Sequence, residues 1–411
     1  MSEVEELYER LAAAVTLESD DAAIRIGASY QPQAGPDAKV FPPTYMERDG
    51  TRYHFEKRWS SAGSPLEVVI LDSYQSQANR CEAALEREAA ALGLPRLVLN
   101  HSVNGNAISI SSLIAPHRSR DAYFLDALVD GRPFDETPVG MALDRATLDD
   151  LTPFLQYVPT DLVYGIWDSH RGKRMALKFA RSYTSEMLGW EPQPGKRAAT
   201  KGDPLNLPGN DSVDYRDWRP AGTSKKSKDS QKKLSELGHG MVPGEPDESI
   251  GGVAVRGITR LAVLSLTGLA RLSFSSDEVN RAGRTMLAAV GLLGDRLAFG
   301  GAGLHLRSGC DLVLESEHIE WVQRGGRTEP LELDRERARE LFHAARRRLE
   351  RAGIAWSGEP VVLTPSKALA EVIAATLTAR PRVGAPAQGD GQLAEVIAAT
   401  LTARGVEDAG D

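Results

Sequence analysis

Gln75, Ser76, Asn79 and Arg80 are the residues whose types and spacing most readily suggest chemistry. Gln75 with Asn79, and Ser76 with Arg80, are each four residues apart, so a helix sets them in two adjacent rows of hydrogen-bonding groups. Four apolar residues, Val68 to Leu71, come just before them, and three are β-branched, which predicts a buried strand. Asp72 and Ser73 lie between strand and helix and offer side-chain oxygens to the free N–H groups of a helix start. A strand that runs into amide-rich first turns can hold an anion or a ribose-phosphate chain. The same residues also suit a well-capped helix with a solvated polar face.

Other reactive groups are scattered. His54, His117, His170 and His239 each stand beside polar residues and could serve in acid–base work, although a lone histidine is more often structural. The eight histidines do not cluster at metal-ligand spacing, and the sequence has no GxxxxGK[ST], HExxH, GxSxG or CxxC pattern. No cofactor is expected, and nothing in these motifs demands an enzyme. Cys81 and Cys310 are the only cysteines, which excludes a disulfide framework and fits a cytoplasmic setting.

The 411 residues can bury a sizeable core, and 41% hydrophobic with 26% charged residues is a globular balance. No run of 18 apolar residues is present, so no membrane partner is expected. The net charge of −8 argues against a simple basic sleeve for nucleic acid, yet its distribution is uneven. From Gly165 to Ser235 there are 15 Lys or Arg against 8 Asp or Glu. One face could therefore bind a polyanion while the others stay acidic.

The elements that must position these groups follow an α+β order. Ser2 and Glu5 form a capping box for a helix carrying Leu7, Leu11 and Ala14 within residues 1–20. Alternation predicts strands over Ala23–Tyr30 and Tyr53–Trp59, on either side of a rigid Phe41–Tyr45 turn. Arg96–Asn100 and Ala107–Leu113 read as strands joined at Asn104-Gly105-Asn106. Pro116 to Asp121 reads as a helix start with basic residues in its first turns, which opposes the helix dipole unless an anion sits there. Leu162 to His170 reads as a strand, and Ala176 to Trp190 as strand at its start. Periodicity stops over about 191–246, a long polar and basic insertion. There Tyr215 and Trp218, beside Arg216 and Arg219, could stack on single-stranded bases.

Strands are expected again at Val253–Val255, Leu261–Leu266, Leu304–Leu314 and His318–Val322, with helices over Asp277–Leu297 and Asp334–Ala352. The main domain would thus span 21–354. A helical tail over 355–411 carries LAEVIAATLTAR twice, at Leu369–Arg380 and Leu393–Arg404. Two copies are too few for a solenoid, so this reads as a local duplication, with a partner-binding helix as the alternative. Deleting Pro381 to Asp411 should leave assembly intact.

Several stretches, taken in order, resemble a known family: FPPTY with YHFEKR, VVILDSYQSQANR, APHRSRDAYF, GIWDSHRGKRMALKFARSYTSEMLGW, LSELGHG and LRSGCDLV. The set is similar to the backbone subunit of the type I-G (formerly I-U) CRISPR effector complex, over roughly Ala23 to Leu349. The resemblance implies a ferredoxin-like, RNA-recognition-type RAMP core with large insertions. It implies a non-catalytic subunit that polymerises along CRISPR guide RNA and presents it for pairing with a target DNA strand, beside further copies of itself and other effector-complex subunits. The guide would lie across the sheet, crossed by a finger-like insertion. Sequence specificity would rest in base pairing. Carried over by position, Gln75, Gln77, Asn79 and Arg80 match the helix motif, His117, Arg118 and Arg120 the PHR segment, and Lys178 and Arg181 the KF block. Lys57, Arg58, His170, Arg171, Lys173 and Arg174 come next as guide-RNA contacts. Some RAMP relatives are RNA endonucleases that process guides or cut target RNA, and Asp72, Asp168 or His117 would be the residues to test for that alternative.

Overall fold

In the computed structural model, residues 2–45, 52–59, 63–168, 177–196, 201–214, 231–241 and 250–379 are described. His170, Arg171, Lys173, Arg174, Tyr215, Arg216, Trp218, Arg219 and the second LAEVIAATLTAR copy lie outside the described residues.

Ile24, Ile26, Ala28 and Tyr30 are buried alternately along β1 (Asp21–Pro32), so one face of that strand belongs to the core. Next come β2 (Phe55–Trp59), β3 (Pro65–Asp72) and the helix α2 (Tyr74–Leu92), with α1 (Glu3–Ala14) ahead of them all. An excursion through β4 (Leu97–Val103) and β5 (Asn106–Ser111) leads to β6 (Tyr183–Trp190). The remainder is β7 (Gly257–Ser265), α3 (Asp277–Phe299), β8 (Gly303–Arg307), β9 (Cys310–Gln323), α4 (Arg335–Arg351), β10 (Val361–Pro365) and α5 (Lys367–Ala379).

The main sheet has the order β8-β9-β1-β7-β6-β3-β2, with every pairing antiparallel. Within it β9-β1-β7-β6 is the ferredoxin-like order, with α2 between β1 and β6 in the chain and α3 between β7 and β9. The fold is therefore α+β with an RNA-recognition-type core. The β2–β3 hairpin is inserted between β1 and α2 and widens the sheet beyond β6. Helices α2, α3, α4 and α1 cover one face. One continuous apolar core runs from Leu7 on α1 to Leu363 on β10, so the N-terminal helix belongs to the main body.

A second sheet, β5-β4-β10 followed by Ala127–Val129 and Arg132–Pro133, is built mostly from the excursion between α2 and β6. Its strand β10 lies in what the sequence presents as a helical tail, parallel to β4, and Leu363 there is fully buried. The 191–246 insertion is not structureless throughout: Ser212–Asp214 pairs with Gln231–Lys233, and Leu234–Leu237 forms a 3-10 turn.

Three expectations need correction. Pro116 to Asp121 forms only a 3-10 turn at Arg118–Arg120, and the helix begins at Ala122, where Asp121 caps Tyr123 N. Leu162–Tyr164 belongs to the short helix Thr160–Tyr164, and Gly165 at φ 81° ends it before the strand Ile166–Asp168. Residues 310–314 and 318–322 are one long strand, and β8 pairs with its beginning. Among the described residues no helix is long and apolar enough to cross a membrane.

Candidate nucleic-acid interface

Val68, Val69, Ile70 and Leu71 are buried as β3 runs into α2. Ser73 alone caps the helix, accepting from Ser76 N at 3.4 Å. Asp72, expected as a second cap, is fully buried and turns inward. Its carboxylate accepts from Gln77 Nε2 at 2.5 Å and Arg80 Nε at 2.8 Å, and pairs with Arg307 at 3.5 Å. The side-chain donors that gather on Asp72 displace backbone capping because two of them are charged.

From Asp72 a polar chain crosses the core. Gln77 Oε1 accepts from Ser185 Oγ at 2.7 Å and Arg260 Nε at 3.0 Å. Arg260, fully buried, pairs with Asp295 and reaches Tyr183 Oη at 2.7 Å, its guanidinium 3.7 Å from the Phe299 ring centre. Arg296 links Asp295 to Glu317. Burial alone would raise the Asp295 carboxyl, but Arg260 and Arg296 outweigh it and hold it down to about 2. Sequence reading missed this network, because its members are far apart in the chain and Arg260 alternates with apolar neighbours on a strand.

The sequence candidates divide accordingly. Gln75 and Asn79 are exposed on the outer side of α2, and Lys57 is exposed on β2. Gln77 is fully buried, so it faces the core and not a ligand. Arg80 is committed to Asp72 and to the carbonyls of His305 and Leu306. Arg118 holds buried Glu82 through two bonds of 2.6 and 2.9 Å and donates to Gly165 O. Arg120, 5% exposed, holds Asp144 and Leu143 O. The PHR guanidiniums thus serve the fold, and of the three candidates there only His117 is exposed. Arg58 pairs with Glu56 and Glu186.

Lys178 is exposed and stands 5.8 Å from the ring of Trp167, its cross-strand partner. Trp167 is itself 66% exposed, an aromatic that the sequence reading did not single out. Nearby Arg181 is half-buried and has no hydrogen-bond or ion-pair partner among the described residues. Burial and the charge of Arg118 both depress it.

The uncovered face of the main sheet is nearly charge-balanced. Arg25 is paired with Glu320 and Arg58 with Glu186, while His318 lies across Gly27, where a Cβ would stand 2.3 Å from its ring. Cations gather instead at the end of the sheet where α2 begins. A groove of about 780 Å³ there is lined by Lys39, Phe41, Arg52, Tyr53 and Arg307, among others, and among the described residues by no carboxylate. Lys39 donates to Gly251 O at 2.8 Å and sits 5.2 Å from the Phe41 ring centre. Phe41 N donates to Gly309 O at 3.0 Å, and the Phe41 ring crosses Gly309 so closely that a Cβ would meet it at 2.6 Å. Gly309 also has φ 74°, so both conformation and space call for glycine. Tyr53 Oη accepts from Gly252 N at 2.9 Å. Arg307 donates to Leu71 O at 2.8 Å as well as pairing with Asp72. Arg52 is exposed and has no side-chain partner among the described residues.

Four of the stretches quoted above, FPPTY, YHFEKR, DSYQSQANR and LRSGCDLV, therefore converge on this groove or on the Asp72 cluster behind it. Cations set beside aromatic walls can hold phosphate and stack a base. Phe41 and Arg307 lie within those stretches and Lys39 and Arg52 just outside them, but no local pattern marked any of the four. Among the described residues no three His, Cys, Asp or Glu side chains are grouped to hold a metal. No curated protein matches the chain. Residues 24–194, the span that carries the groove's N-terminal half, match the model of the family described as CRISPR-associated protein GSU0053 (Cas_GSU0053), which indicates a CRISPR-associated protein.

Proposed function

We propose that the chain is a non-catalytic, RNA-binding backbone subunit of a type I-G CRISPR effector complex. It coats guide RNA in successive copies, beside other subunits, and presents the guide to a target DNA strand in the cytoplasm. The observation that supports this most is the convergence of separated motif stretches on one cationic, aromatic-walled groove and on the Asp72 cluster behind it, at the start of α2. Lys39, Arg52 and Arg307 would hold phosphate there, with Phe41 as a stacking wall. Lys178, Trp167 and Arg181 offer a second cationic and aromatic point. Gln75 and Asn79 would meet RNA or a neighbouring copy.

The test is binding of purified chain to CRISPR RNA as salt is raised. Phosphate contacts to a single strand release counterions, with a slope of about −0.7 per contact in log affinity against log salt. Arg52→Ala should lower that slope by roughly one contact and leave the melting temperature unchanged. Affinity that stays constant between about 50 and 200 mM salt would remove the phosphate-tracking model. Labelled repeat RNA and guide-complementary RNA should both stay intact with the assembled complex. Cleavage abolished by His117→Ala or Asp168→Ala would make the chain a nuclease.

A further inference from the structure

The helix α5 is apolar on nearly every side, yet none of its described residues is fully buried and Leu377 is 40% exposed. Its sequence KALAEVIAATLTA has charged side chains only at Lys367 and Glu371. A helix apolar all round is normally covered all round. Here one side rests on β4 and β10, while another borders an open groove of about 410 Å³. That groove runs between Leu369, Ile373 and Leu377 on α5 and Ile108, Ile110 and Tyr123 opposite. Its walls are mostly apolar, so its occupant should be an apolar helix face about as long as α5.

The chain itself contains such a segment. Leu393–Arg404 repeats Leu369–Arg380 residue for residue, so Leu393, Ile397 and Leu401 fall on one face if it is helical. We propose that Leu393–Arg404 forms a second helix that docks antiparallel to α5 in this groove and covers it. The linker Pro381–Gln392 has 12 residues. Twelve residues can span roughly 20 Å. That is enough to turn back and lay a helix beside another at about 8–10 Å. The repeat gives both helices the same apolar row, so each offers the other a matching surface. A second copy of the chain could offer the same segment to this groove, which makes the connectivity the thing to measure.

The experiment uses the full chain with Ile110→Cys and Ile397→Cys, oxidised mildly. The native Cys81 and Cys310 are both fully buried and do not compete. A disulfide formed within one chain is the expected result. A disulfide formed only between chains overturns docking within the chain and assigns the groove to a neighbouring copy. Because a cysteine pair can fail for geometric reasons, hydrogen exchange on the unmodified chain supplies the second reading. Amides of 394–404 should exchange about tenfold or more slowly than in the Ile397→Asp variant. Equal, unprotected exchange in both, with no disulfide, shows that the segment does not dock and sinks the proposal.

Discussion

Arg260 and Asp295 face each other with no solvent contact, so each has value only through the other. Removing one partner of such a pair leaves a buried charge uncompensated, at a cost of about 3–5 kcal/mol, while replacing both by apolar residues costs far less. Asp295→Ala should therefore lower the denaturant midpoint sharply, and Arg260→Met with Asp295→Leu should recover much of the loss. If the double variant is as damaged as the single one, the Gln77 and Tyr183 bonds hold this region and the ion pair does not. Asp161 presents the opposite case. Burial lifts its carboxyl to about 7 although Ser119, Arg118 and Arg120 pull it down, and Glu82 adds to the rise. The folded state thus binds a proton that the unfolded chain releases near pH 4. This group's contribution is complete below that pH and is lost as pH rises through about 7. Stability should decline across that window, and Asp161→Asn should flatten the decline in unfolding titrations. An unchanged pH profile would mean that Arg118 and Arg120 keep Asp161 ionised.

The start of α2 shows how helical spacing divides one motif between two tasks. Gln75 and Asn79 lie on the exposed side, whereas Gln77 lies on the buried side, bonded to Asp72, Ser185 and Arg260. Gln75→Ala with Asn79→Ala should weaken RNA-dependent assembly several-fold and leave the melting curve in place. Gln77→Ala should do the reverse, costing about 1–3 kcal/mol of stability by leaving buried polar groups unsatisfied. RNA coating that is normal in the double variant would return the exposed row to an ordinary solvated surface. Much of this element was legible in the sequence: the four-residue apolar run, the Ser73 cap and the i,i+4 rows are local patterns. The Asn104-Gly105 turn was legible for the same reason, with φ of 51° and 80° and Val103 opposite Asn106. What escaped was set by partners remote in the chain. Arg118 meets Glu82 across 36 residues and Arg307 meets Asp72 across 235. Nothing near those arginines distinguishes a structural guanidinium from one that meets RNA. The groove was hidden likewise, because its walls come from residues as far apart as Lys39 and Arg307.

At the scale of the whole molecule, charge opposes what the proposed assembly requires. Each copy carries −8 in total, and the 15 cations against 8 acids between Gly165 and Ser235 leave the rest at about −15. Copies lined up on one RNA must turn their basic regions to the strand and their acidic surfaces toward one another or outward. Salt then acts in two directions. It weakens each phosphate contact through counterion release, and it relieves repulsion between neighbouring copies, whose charges are screened over about 10 Å at 0.1 M. Affinity for an RNA long enough for one copy should therefore fall steeply as salt rises, while the cooperative gain on an RNA long enough for several copies holds steady or grows. Titrating short and long guides at low and moderate salt, and comparing the two slopes, separates these effects. A cooperative gain that falls in parallel with the single-copy affinity would show that neighbouring copies attract through complementary charge, with the acidic surfaces turned away from the contacts between them.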